Sequence, residues 1–558
     1  MLSSRPTKTG LRAENRERDN AQYVLAASGY TALAGDITAA NGRVWVLQTL
    51  DNVRAYGDIT DTQDCSAVIE LALNSGRSRV YKFRGNFYLE NPCRITHSDM
   101  DIDCHGAYFD CSNMYGNDFQ NNPDALFELY GSQQSPTTLS TGGLADTSVI
   151  TVADSSSFAA GNPIYIESDE HWYTEAVSIG RAYVGRVARI SGNDIYLQHP
   201  LPFNFNVSGN TISVYNWTPI KNINVLGGKF YGGNHRRDIG NGRGIGVVYA
   251  RYFYNVTVNG ANVDGFENAA YRMESGVNAT VQNTYIQGHT PDFNEVIVEG
   301  ENSGFYGAFF VEVRNAKMLN VNGYRCRHLQ DASRTYDMLI ENCYGVECHR
   351  PAFGCHSGTH DGTYNECGVE GGAGGLQWRG FHLYVNGGTY NCPENNSSGI
   401  YDAEGGANDL ICDRVIKPNR VYADRICVNI RSSFRRCVIE GEFQNVDGGY
   451  SAIDFTGAYM GEVLISAYVK QGGGTGIAIR QRANSAVRMG VFKITNSTIL
   501  SNTNLVRIYA PANTGSVWIE GNVFDSSSAV FDININNTQV FERVEANFRP
   551  DGTPATRN

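Results

Sequence analysis

The feature that most constrains this chain is a repeat that restarts about every two dozen residues, from about residue 245 to the C-terminus. The steps from Cys355 to Trp378, from Trp378 to Asp402 and from Val428 to Asp454 are 23, 24 and 26 residues. A period in this range is typical of a solenoid, and alternation of apolar and polar residues within each unit indicates β-strands. The first strands of the units are predicted at 244–248, 270–274, 324–328, 353–356, 376–379, 400–402, 427–430, 453–455, 477–480, 506–509 and 531–534.

A second strand in each unit carries a recurring cysteine, accompanied in three units by an asparagine. These residues are Cys343, Cys367, Cys392, Cys412 and Cys437, with Asn342, Asn365 and Asn391. Equivalent residues of stacked coils lie about 4.8 Å apart, so we expect both types to form internal ladders. One coil cannot bury its own apolar side, so the stack itself is the predicted core.

Composition agrees with a β-solenoid and excludes several classes of protein. Charged residues are only 18% of the 558 residues, with 61 Gly and 15 Pro, which argues against disorder. A formal charge of −12 argues against a nucleic-acid partner. The 13 cysteines are an odd number at coil spacing, so free buried thiols are expected, in a protein folded in a cytoplasm.

The first 50 residues lack the coil period, and we predict an N-terminal anchor or linker there. Leu11 to Ala27 is rich in Arg, Glu and Ala and predicts a short helix. Residues 5–19 have no apolar core, so no signal peptide is expected. No apolar run approaches about 18 residues, so no membrane insertion is expected either.

Residues 51–131 carry the motifs of a solenoid opening. A helix is predicted from Asp64 to Asn74, followed by a strand from Val80 to Phe83 and the segment Arg84 to Tyr88. This opening resembles pectate-lyase-superfamily β-helices. Residues 132–218 break the period with short strands, and Ile220 to Gly228 resumes it.

The whole arrangement resembles phage tailspikes and related β-helical proteins that degrade polysaccharides. The resemblance implies an all-β, right-handed parallel β-helix, a homotrimer and a bacterial capsular or lipopolysaccharide glycan as partner. It also implies attachment to the phage tail through the N-terminal segment. The protein would be made in the host cytoplasm and would act from the virion tail at the bacterial surface. The predicted domains are an anchor (1–50), a capping helix with the first coils (51–131), an inserted β-domain (132–218), the main β-helix (219–545) and a tail (546–558).

The candidate catalytic residues lie on successive first strands. His328, His356, Arg379 and the acids Asp402 and Glu404 would form a column about 14 Å long. Asp402 and Glu404 are two residues apart, about 6.6 Å in an extended strand. Glycoside hydrolysis by inversion uses paired carboxylates about 6.5 Å or more apart. If Ile400 faces inward, alternation would turn both acids inward too, unless the strand bends after Tyr401.

Other residues complete the predicted site. Glu274 is a reserve acid, and Arg379 suits a carboxylate of the substrate. Arg327, Trp378, His360 and Tyr401 are candidate substrate-binding residues. No cofactor is expected, and no metal, because the Cys and His residues near 348–367 include no Cys-x-x-Cys pair.

Three functions remain open from the sequence. The first is a tailspike that cleaves a bacterial polysaccharide internally, with hydrolysis slightly favoured over β-elimination by a His base and an Arg that neutralises a uronate. The second is a glycan-binding fibre without catalysis. The third, a released host lyase acting on plant or matrix uronans, is weakened by the missing signal peptide.

Overall fold

The structure is a computed structural model in which strands dominate almost every described segment. It describes residues 2–7, 10–15, 21–26, 30–40, 43–60, 62–114, 124–171, 180–233, 245–266, 269–288, 306–393, 397–402, 412–447, 449–457, 459–472, 476–482, 488–501, 505–509, 515–525, 533–535 and 541–556. Within these residues, no helix is both long enough and apolar enough to cross a membrane.

The N-terminal segment forms a five-stranded antiparallel sheet in the order β1-β2-β3-β5-β4. Its strands are β1 (Leu2–Thr7), β2 (Gly10–Asn15), β3 (Ala21–Leu25), β4 (Ile37–Thr38) and β5 (Val44–Leu47). The helix predicted from Leu11 to Ala27 is therefore wrong. Ala21 and Tyr23 are buried while Gln22 between them is exposed, and this period of two suits a strand rather than a helix.

A cap and the first coils follow the N-terminal sheet. A 3₁₀ helix spans Val53–Tyr56, and helix α1 spans Ser66–Asn74 and buries Ile69 and Leu73. The helix predicted from Asp64 to Asn74 is confirmed at this position. The first strands are β6 (Val80–Lys82), β7 (Gly85–Tyr88), β8 (Cys93–Ile95), β9 (Met100–Asp103), β10 (Ala107–Asp110) and β11 (Asp124–Tyr130).

An antiparallel sheet of seven strands interrupts the coils. It contains β12 (Ser132–Gln133), β13 (Thr137–Thr138), β14 (Val149–Thr151), β15 (Pro163–His171), β16 (Gly180–Ser191), β17 (Asp194–Leu197) and β18 (Ile212–Thr218). This inserted domain packs on the coils through Tyr165 and Trp217, whose stacked rings lie 5.5 Å apart and share a buried cluster with Tyr336. Arg334 of the coils also pairs with Glu167 of the inserted domain at 3.0 Å.

The coils continue after the inserted domain. Their strands are β19 (Ile220–Leu226), β20 (Lys229–Tyr231), β21 (Ile245–Asn259), β22 (Asn262–Asp264), β23 (Tyr271–Gln282), β24 (Tyr285–Gln287), β25 (Tyr306–Leu319), β26 (Asn322–Tyr324), β27 (His328–Ser333), β28 (Tyr336–Glu341), β29 (Tyr344–Val346), β30 (Phe353–Gly354), β31 (His360–Asn365), β32 (Gly368–Glu370), β33 (Gly374–Trp378), β34 (Leu383–Asn386), β35 (Thr389–Cys392), β36 (Ser398–Asp402), β37 (Asp413–Lys417), β38 (Arg420–Ala423), β39 (Ile426–Ile430), β40 (Phe434–Asn445), β41 (Ile453–Phe455), β42 (Tyr459–Lys470), β43 (Ile479–Gln481), β44 (Arg488–Thr495), β45 (Thr498–Leu500), β46 (Val506–Ile508), β47 (Ser516–Glu520), β48 (Val523–Asp525), β49 (Ile533–Ile535) and β50 (Phe541–Glu545).

These coil strands and β6–β11 form one sheet of 38 strands, in which each strand pairs in parallel with its equivalent one coil away. The fold is a right-handed parallel β-helix with one inserted β-domain, as predicted. Three faces run along it. Face A contains β8, β11, the first halves of β21, β23 and β25, and then β27, β30, β33, β36, β39, β41, β43, β46 and β49. Face B contains β28, β31, β34 and β37, and face C contains β29, β32, β35 and β38.

The core of the β-helix is a continuous apolar cluster that includes most of the predicted cysteine ladder. All 13 cysteines are free and buried, and burial raises the pKa of the Cys348 thiol to about 12. The asparagine ladders, in contrast, were predicted to be internal but lie at the surface. Asn342 is exposed, and the amide of Asn386 donates to Asn365 Oδ1 at 3.0 Å in a surface turn. At these strand ends the side-chain amides of successive coils bond to one another and still contact water.

Candidate functional site

Face A positions two rows of side chains that point away from the core. Its strands alternate, with Phe353, Leu376 and Ile400 packed inside, so the next residue of each strand faces outward. The Asp331 row contains Tyr249, Arg272, Phe309, Asp331, Gly354, Gln377, Tyr401, Asn429, Asp454, Arg480 and Arg507. Two residues further along each strand, the His356 row contains Arg251, Glu274, Val311, Ser333, His356, Arg379, Arg431, Thr456, Arg482 and Tyr509.

Asp331 and His356 form an ion pair at the junction of these rows. His356 Nε2 lies 3.2 Å from Asp331 Oδ2, and the side chains are 44% and 3% exposed. The negative charge of Asp331 raises the pKa of His356, although burial opposes it. Burial also works against ionisation of Asp331, but the charge of His356 outweighs it and lowers the pKa of Asp331. The pairing therefore favours the ionised form of Asp331 and the protonated form of His356, and solvent reaches the histidine.

His328 is the second histidine beside Asp331. Its ring is buried, stacked on Tyr306 with ring centres 5.5 Å apart, and its Nδ1 lies 2.6 Å from the carbonyl oxygen of Pro351. A carbonyl only accepts hydrogen bonds, so Nδ1 carries the proton and Nε2 is the basic nitrogen of the neutral ring. Burial lowers the pKa of His328 to about 4. The pKa values of the two histidines are thus shifted in opposite directions.

Gly354 brings side-chain-free backbone close to this cluster. It occupies the position in the Asp331 row directly after Asp331, where every side chain would face outward. A Cβ atom there would lie 3.3 Å from Asp331 Oδ1 and 3.6 Å from His328 Nδ1. No side chain from this position covers Asp331 or His328, which are themselves 2% and 7% exposed.

Two arginines and a tyrosine surround the cluster. Arg327 lies over the Tyr306 ring at 5.5 Å and Arg379 follows His356 in its row; the charges of both act on the pKa of His356. Tyr401 is half-buried in the Asp331 row, and the Arg431 guanidinium lies 5.0 Å above its ring. The predicted residues His328, His356, Arg379, Arg327 and Tyr401 therefore lie on one face.

Asp402 is not part of this surface, and its predicted catalytic role is wrong. It is 0% exposed and lies inside the coil, where Arg414 Nε contacts its Oδ2 at 3.1 Å and Ser432 also donates to it. Burial raises the pKa of Asp402, and the guanidinium of Arg414 opposes this. The strand does not bend after Tyr401, so alternation from Ile400 turns Asp402 inward. Its predicted partner Glu404 lies outside the described residues.

Trp378 and His360 are also inaccessible to a substrate, contrary to prediction. Trp378 is 0% exposed and packs inside the core beside Tyr364. His360 is 6% exposed and stacks on Phe381, which packs against the inserted domain. Trp378 is hidden because the alternation of its strand turns it inward. His360 is hidden because Phe381, backed by the inserted domain, covers it.

Glu274 lies in the His356 row, but three strands away from His356, about 14 Å. Its carboxylate accepts from Arg272 Nη2 at 2.8 Å and from the hydroxyl of Tyr249 at 3.1 Å, and Arg251 Nε lies 3.2 Å away. These donors engage both oxygens. The structure does not bring Glu274 together with the Asp331 cluster.

One group among the described residues has donor atoms at separations that suit a metal ion. Atoms of His360, Asp361 and His382 lie within 4.8 Å of one another on face B. Protein contacts already engage them, because His360 Nδ1 lies 2.7 Å from Asp361 Oδ2 and the backbone N–H of Asp413 donates to His382 Nδ1 at 3.3 Å. This group is separate from the cluster on face A.

Asp331 is the main residue of the site that the sequence analysis missed. The first strand of its unit was predicted at Tyr324 to His328, whereas β27 runs from His328 to Ser333. Leu329 and Gln330 are both buried, so no alternation marks Asp331 as outward. The spacing of 23 residues from Asp331 to Gly354, and again to Gln377, is the signal that identifies its row.

Comparison with known proteins supports the fold. Neither a protein-family model nor a curated protein matches the sequence. Among solved structures, the Gp54 tailspike of Acinetobacter baumannii bacteriophage AP22, in complex with an A. baumannii capsular saccharide, matches with a TM-score of 0.50 and 14% identity, covering 93% of this chain and 80% of that one.

Two Pseudomonas phage tailspikes also match at low identity. The phage phi297 tailspike gp61 matches over 90% of this chain and 81% of that chain, at 13% identity and a TM-score of 0.48. The phage LKA1 tailspike gp49 matches over 86% and 73%, at 13% identity and a TM-score of 0.45. In fold, this chain is a right-handed parallel β-helix of the kind seen in the AP22 phage tailspike.

Proposed function

We propose that this protein is a phage tailspike that binds a bacterial surface polysaccharide and cleaves it within the chain. The observation that carries the proposal is the Asp331–His356 ion pair on face A, 3.2 Å long, with the neutral His328 beside it. The fold supports it, because the AP22 tailspike that shares this fold binds a capsular saccharide.

The reaction that this cluster suits best is β-elimination at a uronate. His328 is 7% exposed beside the side-chain-free position of Gly354, and in this proposal its Nε2 takes the proton from the carbon next to the uronate carboxylate. That electron pair forms the carbon–carbon double bond. The bond to the glycosidic oxygen breaks, and His356 donates its proton to the leaving oxygen. Asp331 positions His356 and keeps it protonated, while Arg327 and Arg379 neutralise the uronate carboxylate. The products are an unsaturated sugar end and a free hydroxyl.

Hydrolysis is the second candidate, favoured by the ionised carboxylate of Asp331. Inverting hydrolysis needs a second carboxyl about 6.5–9.5 Å away, and Glu404, predicted as the partner of Asp402, lies outside the described residues. Asp402 cannot fill this role, because it is sealed inside the coil with Arg414. We therefore place elimination ahead of hydrolysis, the reverse of the order that the sequence favoured.

Assembly and location belong to the same proposal. A homotrimer attached to the phage tail through the N-terminal sheet would present face A to the bacterial surface. Asp454 and Arg480, outward-facing charges on the later strands of face A, pair within the chain at 2.9 Å rather than between subunits. Light scattering at micromolar concentration tests the trimer, and a monomer mass would contradict it.

The proposed activity is tested by incubating the protein with purified capsule and lipopolysaccharide from candidate hosts. Elimination predicts shorter polysaccharide with a product that absorbs in the near ultraviolet, and this product should disappear with His356→Ala. The exposed His97, outside face A, provides a matched control as His97→Ala. New reducing ends without that absorbance would indicate hydrolysis, and binding without shortening would indicate an attachment fibre.

A further inference from the structure

A second charged cluster lies further along face A, around Asp454. This carboxylate is 0% exposed and receives two guanidiniums. Arg480 contacts both oxygens, with Nε–Oδ1 3.1 Å and Nη2–Oδ2 2.9 Å, and Arg482 Nη2 reaches Oδ2 at 2.6 Å. The buried acid thus fixes two arginines whose side chains remain 22% and 48% exposed.

More arginines flank this cluster in the same two rows. Arg431 is exposed in the His356 row, and Arg507 is half-buried in the Asp331 row, over the Tyr509 ring at 4.4 Å. Four guanidiniums therefore accompany one carboxylate, on a chain with a formal charge of −12. A local positive excess on an acidic protein marks a place where an anion gains most from binding.

A buried amide lies beside the arginines. Asn429 precedes Asp454 in the Asp331 row and is 3% exposed, yet its Oδ1 has no hydrogen-bond partner among the described residues. A buried acceptor without a partner is unfavourable, and a donor from a ligand removes this penalty. Hydroxyl groups of a sugar are donors of this kind. Guanidiniums for an anion and a carbonyl oxygen for a hydroxyl together match an acidic sugar.

We propose that Arg431, Arg480 and Arg482 form a subsite for an anionic sugar of the polysaccharide, with Asn429 accepting from a hydroxyl. Asp454 is a positioning residue that holds two of the guanidiniums at the surface. The assignment of this subsite to the substrate polysaccharide rests on the proposed function. Five strand steps separate His356 from Arg482 along their row, about 24 Å or about five sugar rings. The substrate is then an acidic polymer, and the anionic sugar that binds here lies about five sugars from the cleaved bond.

The test is affinity electrophoresis in native gels that contain polygalacturonate, hyaluronan, heparin or neutral dextran. The variant Arg431→Gln/Arg482→Gln removes two exposed guanidiniums and leaves Arg480 paired with Asp454, so the fold is retained. The control Arg420→Gln/Arg436→Gln removes the same charge from arginines that pair with glutamates elsewhere on the coils, at 3.3 and 3.0 Å.

We expect at least one acidic polymer, and not dextran, to retard the wild-type protein. The Arg431/Arg482 variant should weaken that binding about tenfold to a hundredfold, as loss of charged hydrogen bonds does, while the control variant binds as the wild type. His356→Ala should still be retarded, because binding here does not need the reaction. Retardation by no acidic polymer, or equal loss in both double variants, would overturn the subsite. Retardation without cleavage of any polysaccharide would overturn only the proposed activity.

Discussion

Two acid–base pairs lie close together in this β-helix, and they differ in which side of the strand they occupy. Asp331, in β27, and His356, just after β30, both face outward, and the His356 side chain is 44% exposed. Asp402 of β36 and Arg414 of β37 face inward, with side chains 0% and 1% exposed. The outer pair has a group that solvent reaches, and the inner pair has none.

The difference shows that one residue of strand register separates a chemical role from a structural one. A shift by one position moves a side chain from core to surface, so the same residue types stabilise the coil on one side and can react on the other. The inner pair also has its hydrogen bonds filled by protein groups, including the carbonyl oxygen of Gly380 and the hydroxyl of Ser432. The outer pair has an open position at Gly354.

The largest effect that distinguishes the pairs is expected from His356→Ala. Removal of the proposed general acid should lower kcat by about 10²–10⁴-fold, because the leaving oxygen then departs unprotonated. Thermal unfolding should stay close to wild type, since the ring is half exposed. The measurement is the initial rate of product release, with His97→Ala as a control that keeps full activity. Full activity in His356→Ala would remove the cluster from the reaction.

Asp402→Asn should act on stability instead. Breaking a buried ion pair leaves the Arg414 charge uncompensated and costs about 3–5 kcal/mol. Thermal or urea unfolding measures this loss, and activity per folded molecule should be retained. The double variant Asp402→Leu/Arg414→Met, which removes both charges, should recover most of the stability. A stable but inactive Asp402→Asn protein would contradict the structural role.

Gly354→Ala sharpens the comparison by closing the open position. The new Cβ would lie 3.3 Å from Asp331 Oδ1, tight enough to displace the carboxylate by a few tenths of an ångström. We expect kcat/KM to fall about tenfold to a hundredfold, because a small displacement of a reacting group is costly. Stability should change little. Unchanged kinetics would mean that the substrate does not approach through this position.

The pH profile should carry the smallest but most specific signature. His328 must be neutral to accept a proton, so kcat/KM should rise as pH passes its pKa of about 4. His356 must be protonated, so activity should fall only above its pKa, which Asp331 raises from the ordinary 6.5. Asp331→Asn should move this alkaline limb to lower pH. An alkaline limb that stays in place would separate His356 from Asp331.

Much of the fold follows from the sequence because coil spacing and alternation depend on local residues. The strands at Ile400, Ile453 and Val506 lie where the repeat predicts them, and the cysteines line the core because a small thiol tolerates burial. The helix prediction for the N-terminal segment failed because its Arg, Glu and Ala residues favour a helix, whereas pairing between β2 and β3 determines its structure. Tertiary contacts of this kind override propensity.

The site was harder to predict because function depends on strand side and on distant cover. The inward position of Asp402 was already implied by Ile400, but a bend after Tyr401 would have reversed it. Alternation did not reveal Asp331, since Gln330 is a polar residue on the inward side, and only the 23-residue spacing to Gly354 and Gln377 identifies its row. His360 faces outward from the coil, and the rings of Tyr336 and Phe381 cover it, with Phe381 packed in turn against the inserted domain, far away in sequence.

The most direct test of the account compares Asp331→Asn with Asp402→Asn, two identical chemical changes on opposite sides of the same coils. The measurement is product release per folded molecule, at a temperature where both variants are folded, on a polysaccharide that the wild type cleaves. The account predicts a loss of about 10² or more for Asp331→Asn and wild-type activity for Asp402→Asn. Full activity in Asp331→Asn, with loss in Asp402→Asn, would contradict it.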